Sequence, residues 1–223
     1  MPETLDRIRS IVGSLSVPLV ADLDTGYGNA LNVRRTVEQS MDAGVAGGIL
    51  EDQQWPKRCG HMEEKRVVDT DEHARRIRAA ADVRDEREAD FVIIGRTDAR
   101  EPHGPDEALR RGHVYADAGA DVVSVEAPQS RAELEAVADE FAAPTFAHVI
   151  EGGRTPSLPA DTVGHTDVTM FDTSGYRNPL RDDSRRYEDL RSASTSSSTP
   201  RPGCSRRRGH SGELRGARNR RNG

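Results

Sequence analysis

Residues 91–100 read FVIIGRTDAR, a run that reads as a buried strand with a charged tip. Phe91–Gly95 is the most apolar run in the chain, and it stops at Arg96 and Asp98. A continuous apolar run, rather than an alternating one, fits a strand buried on both faces, as in a parallel sheet. Charged residues at the end of such a strand fit a tip that opens onto a polar site.

The same unit recurs on both sides of it. Upstream, Val17–Ala21 ends in Asp22 and Asp24, and Gly48–Leu50 ends in Glu51 and Asp52. Downstream, Asp121–Val125 ends in Glu126, Thr145–Ile150 carries His148 and is followed by Glu151, and a weaker run covers Asp167–Phe171. Amphipathic helices are expected over 3–13, 30–43, 71–83, 106–118 and 131–141. The last places Leu134, Val137, Ala138 and Phe141 at i, i+3, i+4 and i+7. Strands alternating with helices imply parallel pairing through crossovers. The expected fold class is therefore α/β, a (β/α)8 barrel. With six strands and a helix as the first element, the reading is a partial barrel over residues 1–180, two βα units short at the front. Residues 181–223, rich in Arg and Ser, are expected to be a disordered tail.

Composition narrows the function classes. No apolar run approaches the roughly 18 residues a membrane span needs, and no apolar h-region opens the chain. Cys59 and Cys204 lie far apart in unlike contexts, which favours free thiols in a reducing cytoplasm. The tail holds 12 arginines against 5 acids, leaving 20 basic and 33 acidic side chains in residues 1–180. Lys57 and Lys65 are the only lysines. An acidic, lysine-poor body suits either a salt-rich (halophilic) cytoplasm or a GC-rich genome. The tail's arginines could contact nucleic acid, but it lacks aromatics for stacking and the body's charge would repel phosphates, so nucleic-acid binding is disfavoured.

Three groups of residues carry candidate chemistry. Asp22 and Asp24, two apart at a strand end, can face one cation, with Glu51 on the adjacent strand completing a hard-oxygen set suited to Mg²⁺. Alone, the DxD pair would as readily cap a loop. In Lys57-Arg-Cys-Gly-His61, Cys59 is a candidate reactive thiol among cations, and Gly60 lets backbone approach a bound carboxylate. Half of a zinc site or a structural cysteine are the alternatives. Arg96 can clamp a carboxylate with two hydrogen bonds or pair internally with Glu126. His148 reads equally as a donor, a titrating group or a packed residue. His73, His103, His113, His165 and His210 read as surface residues.

Taken together, VPLVADLDTGYGNALNVRRTV (17–37), AGVAGGILEDQQWPKRCGH (43–61), FVIIGRTDAR (91–100), AGADVVSVEAP (118–128) and IEGGRTP (150–156) resemble the isocitrate lyase/phosphoenolpyruvate mutase superfamily, most closely its methylisocitrate lyase-like branch. The resemblance runs from about residue 4 to 178. It implies a homo-oligomeric Mg²⁺ enzyme that cleaves a methylisocitrate- or isocitrate-like 2-hydroxy acid to pyruvate or glyoxylate and succinate. Asp22, Asp24 and Glu51 then match the metal site, and Cys59 the general acid. Gly60, His61, Arg96, Glu126, His148 and Arg177 match substrate contacts. Three departures stand out: the family's opening βα units, with a Ser-Gly-rich substrate loop, have no counterpart here, His148 replaces a common asparagine, and the match decays after about residue 178. The alternatives are a carboxyvinyl-carboxyphosphonate-type phosphonomutase and an inactive truncated member.

Overall fold

The computed structural model describes residues 1–150 and 153–156 in full and the backbone of 168–172. The elements in order are α1 Pro2–Val12, β1 Val20–Asp22, α2 Ala30–Asp42, β2 Gly47–Glu51, α3 Thr70–Glu86 and β3 Val92–Thr97. There follow α4 Arg100–His103, α5 Pro105–Asp117, β4 Val122–Val125, α6 Arg131–Glu140, β5 Phe146–Ile150 and β6 Val168–Asp172. All six expected strands are present. Strand β1 begins at Val20, after Pro18, and not at Val17. The short helix α4, unmarked by any apolar period, was not expected.

Every strand pair is parallel. Strands β1 to β4 lie side by side in chain order, and β5 pairs with β6. A parallel bridge between Val123 and Thr145 joins the two ladders, and the Val123 amide donates to the Pro144 carbonyl at 3.0 Å. Sequential parallel strands with helical crossovers are the wall of a (β/α) barrel.

Helix ends follow local chemistry. Asn29 and Asn32 form a reciprocal capping box that starts α2, and Pro105 stands at the first turn of α5. The apolar stripes of these helices pack onto one face of the sheet. Val33, Val37, Ile77 and Ile93 are fully buried in the main core with Leu23, Leu50 and Tyr115. Each such side chain contributes about 1.5–3 kcal/mol by leaving water. Ile94, Val122 and Phe146, with Ile49 beside them, form a smaller cluster on the opposite face.

That second face positions the site. Two residues beyond Ile49, Ile94 and Phe146, the same pleat carries Glu51, Arg96 and His148; four beyond Val122 it carries Glu126. The residues between them turn toward the helices. Asp52 is fully buried there and accepts from Thr97 Oγ1, the Asp98 amide, Arg111 Nη1 and the Tyr115 hydroxyl. Arg177, Glu151 and the 181–223 segment lie outside the described residues.

Candidate active site

The site is assembled at the C-terminal ends of the strands. After β1 the chain turns sharply: Asp24, Gly26 and Tyr27 have φ of 54°, 81° and 60°. Left-handed backbone at Asp24 and Tyr27 is uncommon for residues with a Cβ. The turn is held by the Asp24 amide, which donates to Asp22 Oδ1 at 2.8 Å. Its carbonyl accepts from the Glu51 amide at 2.9 Å, which ties the turn to β2. Asp22, Asp24 and Glu51 are thereby brought around one point, as expected, though by this turn and not by strand alternation.

A cation already stands at that point. The Lys57 ammonium is 3.6 Å from Asp22 Oδ2 and 3.4 Å from Glu51 Oε1, and closer still to Asp24 Oδ1. These carboxylates outweigh the ammonium's loss of solvent and raise its pKa. Glu51 is buried, and its Oε1 accepts no hydrogen bond. Burial, only partly offset by Arg96, pushes the Glu51 carboxyl up to about 7. An orphaned carboxylate oxygen beside two further carboxylates fits a hard divalent cation.

The loop that follows β2 is pinned at its base. Gln53 forms an antiparallel bridge with Val67, and the Gln53 side chain both donates to the Arg58 carbonyl and accepts the Arg58 amide. Cys59 is a free, exposed thiol on this loop, and its carbonyl accepts from the Met62 amide at 2.9 Å. Gly60 is buried against the next strand tips. A Cβ there would collide with Glu126 Oε1 and lie 2.5 Å from Arg96 Nη2, so only glycine lets the turn sit this close.

Arg96 does not choose Glu126 as its main partner. Its Nε and Nη2 donate to the two oxygens of Asp98 at 2.9 and 3.0 Å, while Glu51 and Glu126 each lie 3.5 Å away. Burial raises the Asp98 carboxyl, but Arg96 and Lys65 outweigh it and hold the group at about 2. The Lys65 ammonium reaches Asp98 Oδ1 at 3.0 Å and the Gly60 carbonyl at 2.5 Å.

On the far side, His61, Glu126 and His148 converge. Their donor atoms lie within 4.8 Å of one another, a geometry that by distance alone could hold a metal ion. His61 Nδ1, however, accepts the Arg154 amide at 2.8 Å, so the neutral ring carries its proton on Nε2, 3.5 Å from Glu126 Oε1. Burial, opposed by Glu126, lowers the His61 pKa and favours that neutral ring. His148 Nδ1 lies 3.2 Å from the same oxygen. In this group His148 is hydrogen-bonded to Glu126, whereas His61 Nε2 stands beside the same oxygen without a hydrogen-bond partner. Cys59 is not part of the group, which leaves the zinc half-site without support among the described residues.

Among the described residues the structure thus gathers Asp22, Asp24, Glu51, Gly60, His61, Arg96, Glu126 and His148 around one site, with Cys59 on the loop above it. Asp98 and Lys65 escaped the sequence reading as site residues, although Lys65 was signalled by its rarity. One expectation is corrected: His73 is no surface residue. It is fully buried, edge-on to Tyr115 at 4.6 Å between ring centroids. His113 is exposed but meets Glu140 at 2.9 Å.

Residues 1–171 match the model of the family described as phosphoenolpyruvate phosphomutase. The chain belongs to that family. It is 43% identical over 177 residues to the 2,3-dimethylmalate lyase of Eubacterium barkeri, covering 78% of this chain and 60% of that protein. It is 40% identical over 168 residues to the 2-methylisocitrate lyase of Halalkalibacterium halodurans, covering 75% and 55%. Among solved structures, a phosphonopyruvate hydrolase complex with oxalate and Mg²⁺ superposes with a TM-score of 0.67 at 29% identity, covering 86% of this chain and 67% of that one. The chain spans about half the length of the curated relatives it matches. A solved structure of 2,3-dimethylmalate lyase superposes with a TM-score of 0.74 at 35% identity, covering 86% of this chain and 62% of that one, which supports the α/β barrel architecture described above.

Proposed function

We propose that the protein is a Mg²⁺-dependent carbon–carbon lyase. Its substrate in this reading is a methylisocitrate- or isocitrate-like 2-hydroxy acid, and its products are pyruvate or glyoxylate and succinate. The observation that carries the reading is the seating of the Cys59–Gly60 turn on Arg96 and Glu126, beside the Asp22, Asp24 and Glu51 carboxylates. A thiol, a carboxylate clamp and a cation site are the three parts a retro-aldol cleavage needs.

Asp22, Asp24 and Glu51 would hold the ion, directly or through water. When bound, Mg²⁺ supplies charge neutralisation at the 2-oxygen of the substrate. Arg96, preset by Asp98, and the Gly60 backbone bind the substrate's carboxylates. A carboxylate of the cluster accepts the hydroxyl proton, the carbon–carbon bond breaks, and its electrons pass to the leaving fragment. Cys59 Sγ delivers the proton that quenches that carbanion as succinate. His148 holds Glu126 through its Nδ1 contact at 3.2 Å, with His61 packed beside them.

The relatives named as methylisocitrate and dimethylmalate lyases support this class of substrate. The family's own description, a phosphomutase, favours the second reading, phosphonomutase chemistry. A substrate panel separates them. Purified protein with Mg²⁺ should release a 2-oxo acid from 2-methylisocitrate, isocitrate or a substituted malate, followed with a lactate dehydrogenase couple. Phosphorus–carbon rearrangement of phosphoenolpyruvate or a carboxyphosphonate, seen by phosphorus NMR without such release, would replace the lyase by the mutase.

A further inference from the structure

Thirty of the chain's 32 fixed positive side chains are arginines, and the two lysines both stand at the candidate site. A chain that otherwise places arginine keeps lysine where a compact ammonium, and not a planar fork, is required. Lys57 meets that description on the carboxylate cluster. Lys65 meets it deeper in the protein, at a position to which the reading above gives no task.

The Lys65 side chain is wholly buried. Its ammonium donates to the Gly60 carbonyl at 2.5 Å and to Asp98 Oδ1 at 3.0 Å. Asp98 in turn receives both hydrogen bonds of the Arg96 fork. The backbone carrying Lys65 is fixed as well, since the Glu64 and Lys65 amides donate to the two oxygens of Glu101 in α4. A buried ion pair alone would need only Asp98. The second bond, to a carbonyl in the cysteine loop, joins two parts of the site that come from different strands.

We propose that Lys65 is a positioning residue that ties the Cys59–Gly60 turn to Asp98, and through Asp98 to Arg96. One ammonium then sets the separation between the proton donor and the carboxylate clamp. The inference rests on the reading of Cys59 and Arg96 as working groups of the lyase site.

The test compares the unmodified protein with Lys65→Met in two measurements. The first is amide hydrogen exchange, which needs no substrate. Arg58 and Met62 amides are bonded within the loop, and the 57–62 segment should exchange at least tenfold faster in the variant while β2–β4 are unchanged. Lys65→Gln replaces Lys65→Met, with the same prediction, should the latter fail to fold. The second is oxalate binding with Mg²⁺, read from Trp55, the only tryptophan, which is exposed on the same loop. Lys65→Met should weaken oxalate at least tenfold, yet add less than twofold in an Arg96→Met background, because the effect passes through Arg96. Unchanged exchange in 57–62, or faster exchange spread equally over the strands, would overturn the proposal. So would unchanged affinity in a protein that binds oxalate. If the unmodified protein takes no oxalate, the substrate reading fails, and exchange alone decides the role of Lys65.

Discussion

The Lys57 ammonium lies 3.4 Å from Glu51 Oε1, a buried carboxylate oxygen that accepts no hydrogen bond. A divalent ion held by Asp22, Asp24 and Glu51 has to displace that ammonium, so protein cation and metal compete for one set of oxygens. Lys57→Met is expected to tighten Mn²⁺ binding about tenfold, equivalent to about 1.4 kcal/mol. Asp24→Asn should weaken it. Calorimetric titration with Mn²⁺ checks both; equal affinities in all three proteins would place the ion elsewhere.

Gly60 has no room for a side chain between Glu126 and Arg96. Gly60→Ala should lift the cysteine turn by a fraction of an ångström to an ångström. Misplacement on that scale costs about a hundredfold in rate. The turn is a loop element, so the melting temperature should move little. Full activity in Gly60→Ala would show that the turn does not work in the seated position.

Asp52 is a stability element that stands beside a site residue. It accepts four hydrogen bonds in a fully buried position, including those of Arg111 and Tyr115. Asp52→Ala strands these donors and should cost about 3 kcal/mol or more, as for other broken buried pairs. Urea unfolding midpoints give the value. A loss under about 1 kcal/mol would mean that water replaces the carboxylate.

His73 should make the protein sensitive to mild acid. Complete burial, with Arg76 next in effect, lowers its imidazole to about 3, against about 6.5 in the unfolded chain. Between these values the unfolded state binds more protons, so stability is lost as pH falls from about 6.5 toward 3. The loss at pH 5 amounts to about 2 kcal/mol. His73→Gln should flatten the difference between urea midpoints at pH 7.5 and pH 5, and an unchanged slope would assign the acid sensitivity to other groups.

The strands and their charged tips were legible because buried parallel strands leave continuous apolar runs that charged residues interrupt. The same continuity hid the phase. With both faces apolar, nothing in Gly48-Ile-Leu-Glu51-Asp52 says which acid faces the site and which the helices. Only the pleat separates Glu51, beside Lys57 and Arg96, from Asp52, beneath Tyr115. Asp98 was seen at the strand end but not as the partner that presets Arg96, a contact between a residue of β3 and the first residue beyond it. His73 was misread because α3 is crowded with charge, yet it stands four residues before Ile77 and seven before Ala80, on the buried stripe. The Lys57 contact required the loop's folded path and had no signature beyond the scarcity of lysine.

In the proposed lyase reaction Cys59 protonates a carbanion made by Mg²⁺-dependent cleavage. The most direct measurement of this step is 2-oxo acid release from 2-methylisocitrate and isocitrate by the protein and by Cys59→Ser, each with Mg²⁺ and with EDTA. Release should require Mg²⁺ and fall at least a hundredfold in Cys59→Ser, with circular dichroism unchanged. Release that persists in folded Cys59→Ser, or none from a folded unmodified protein, would contradict this role of Cys59.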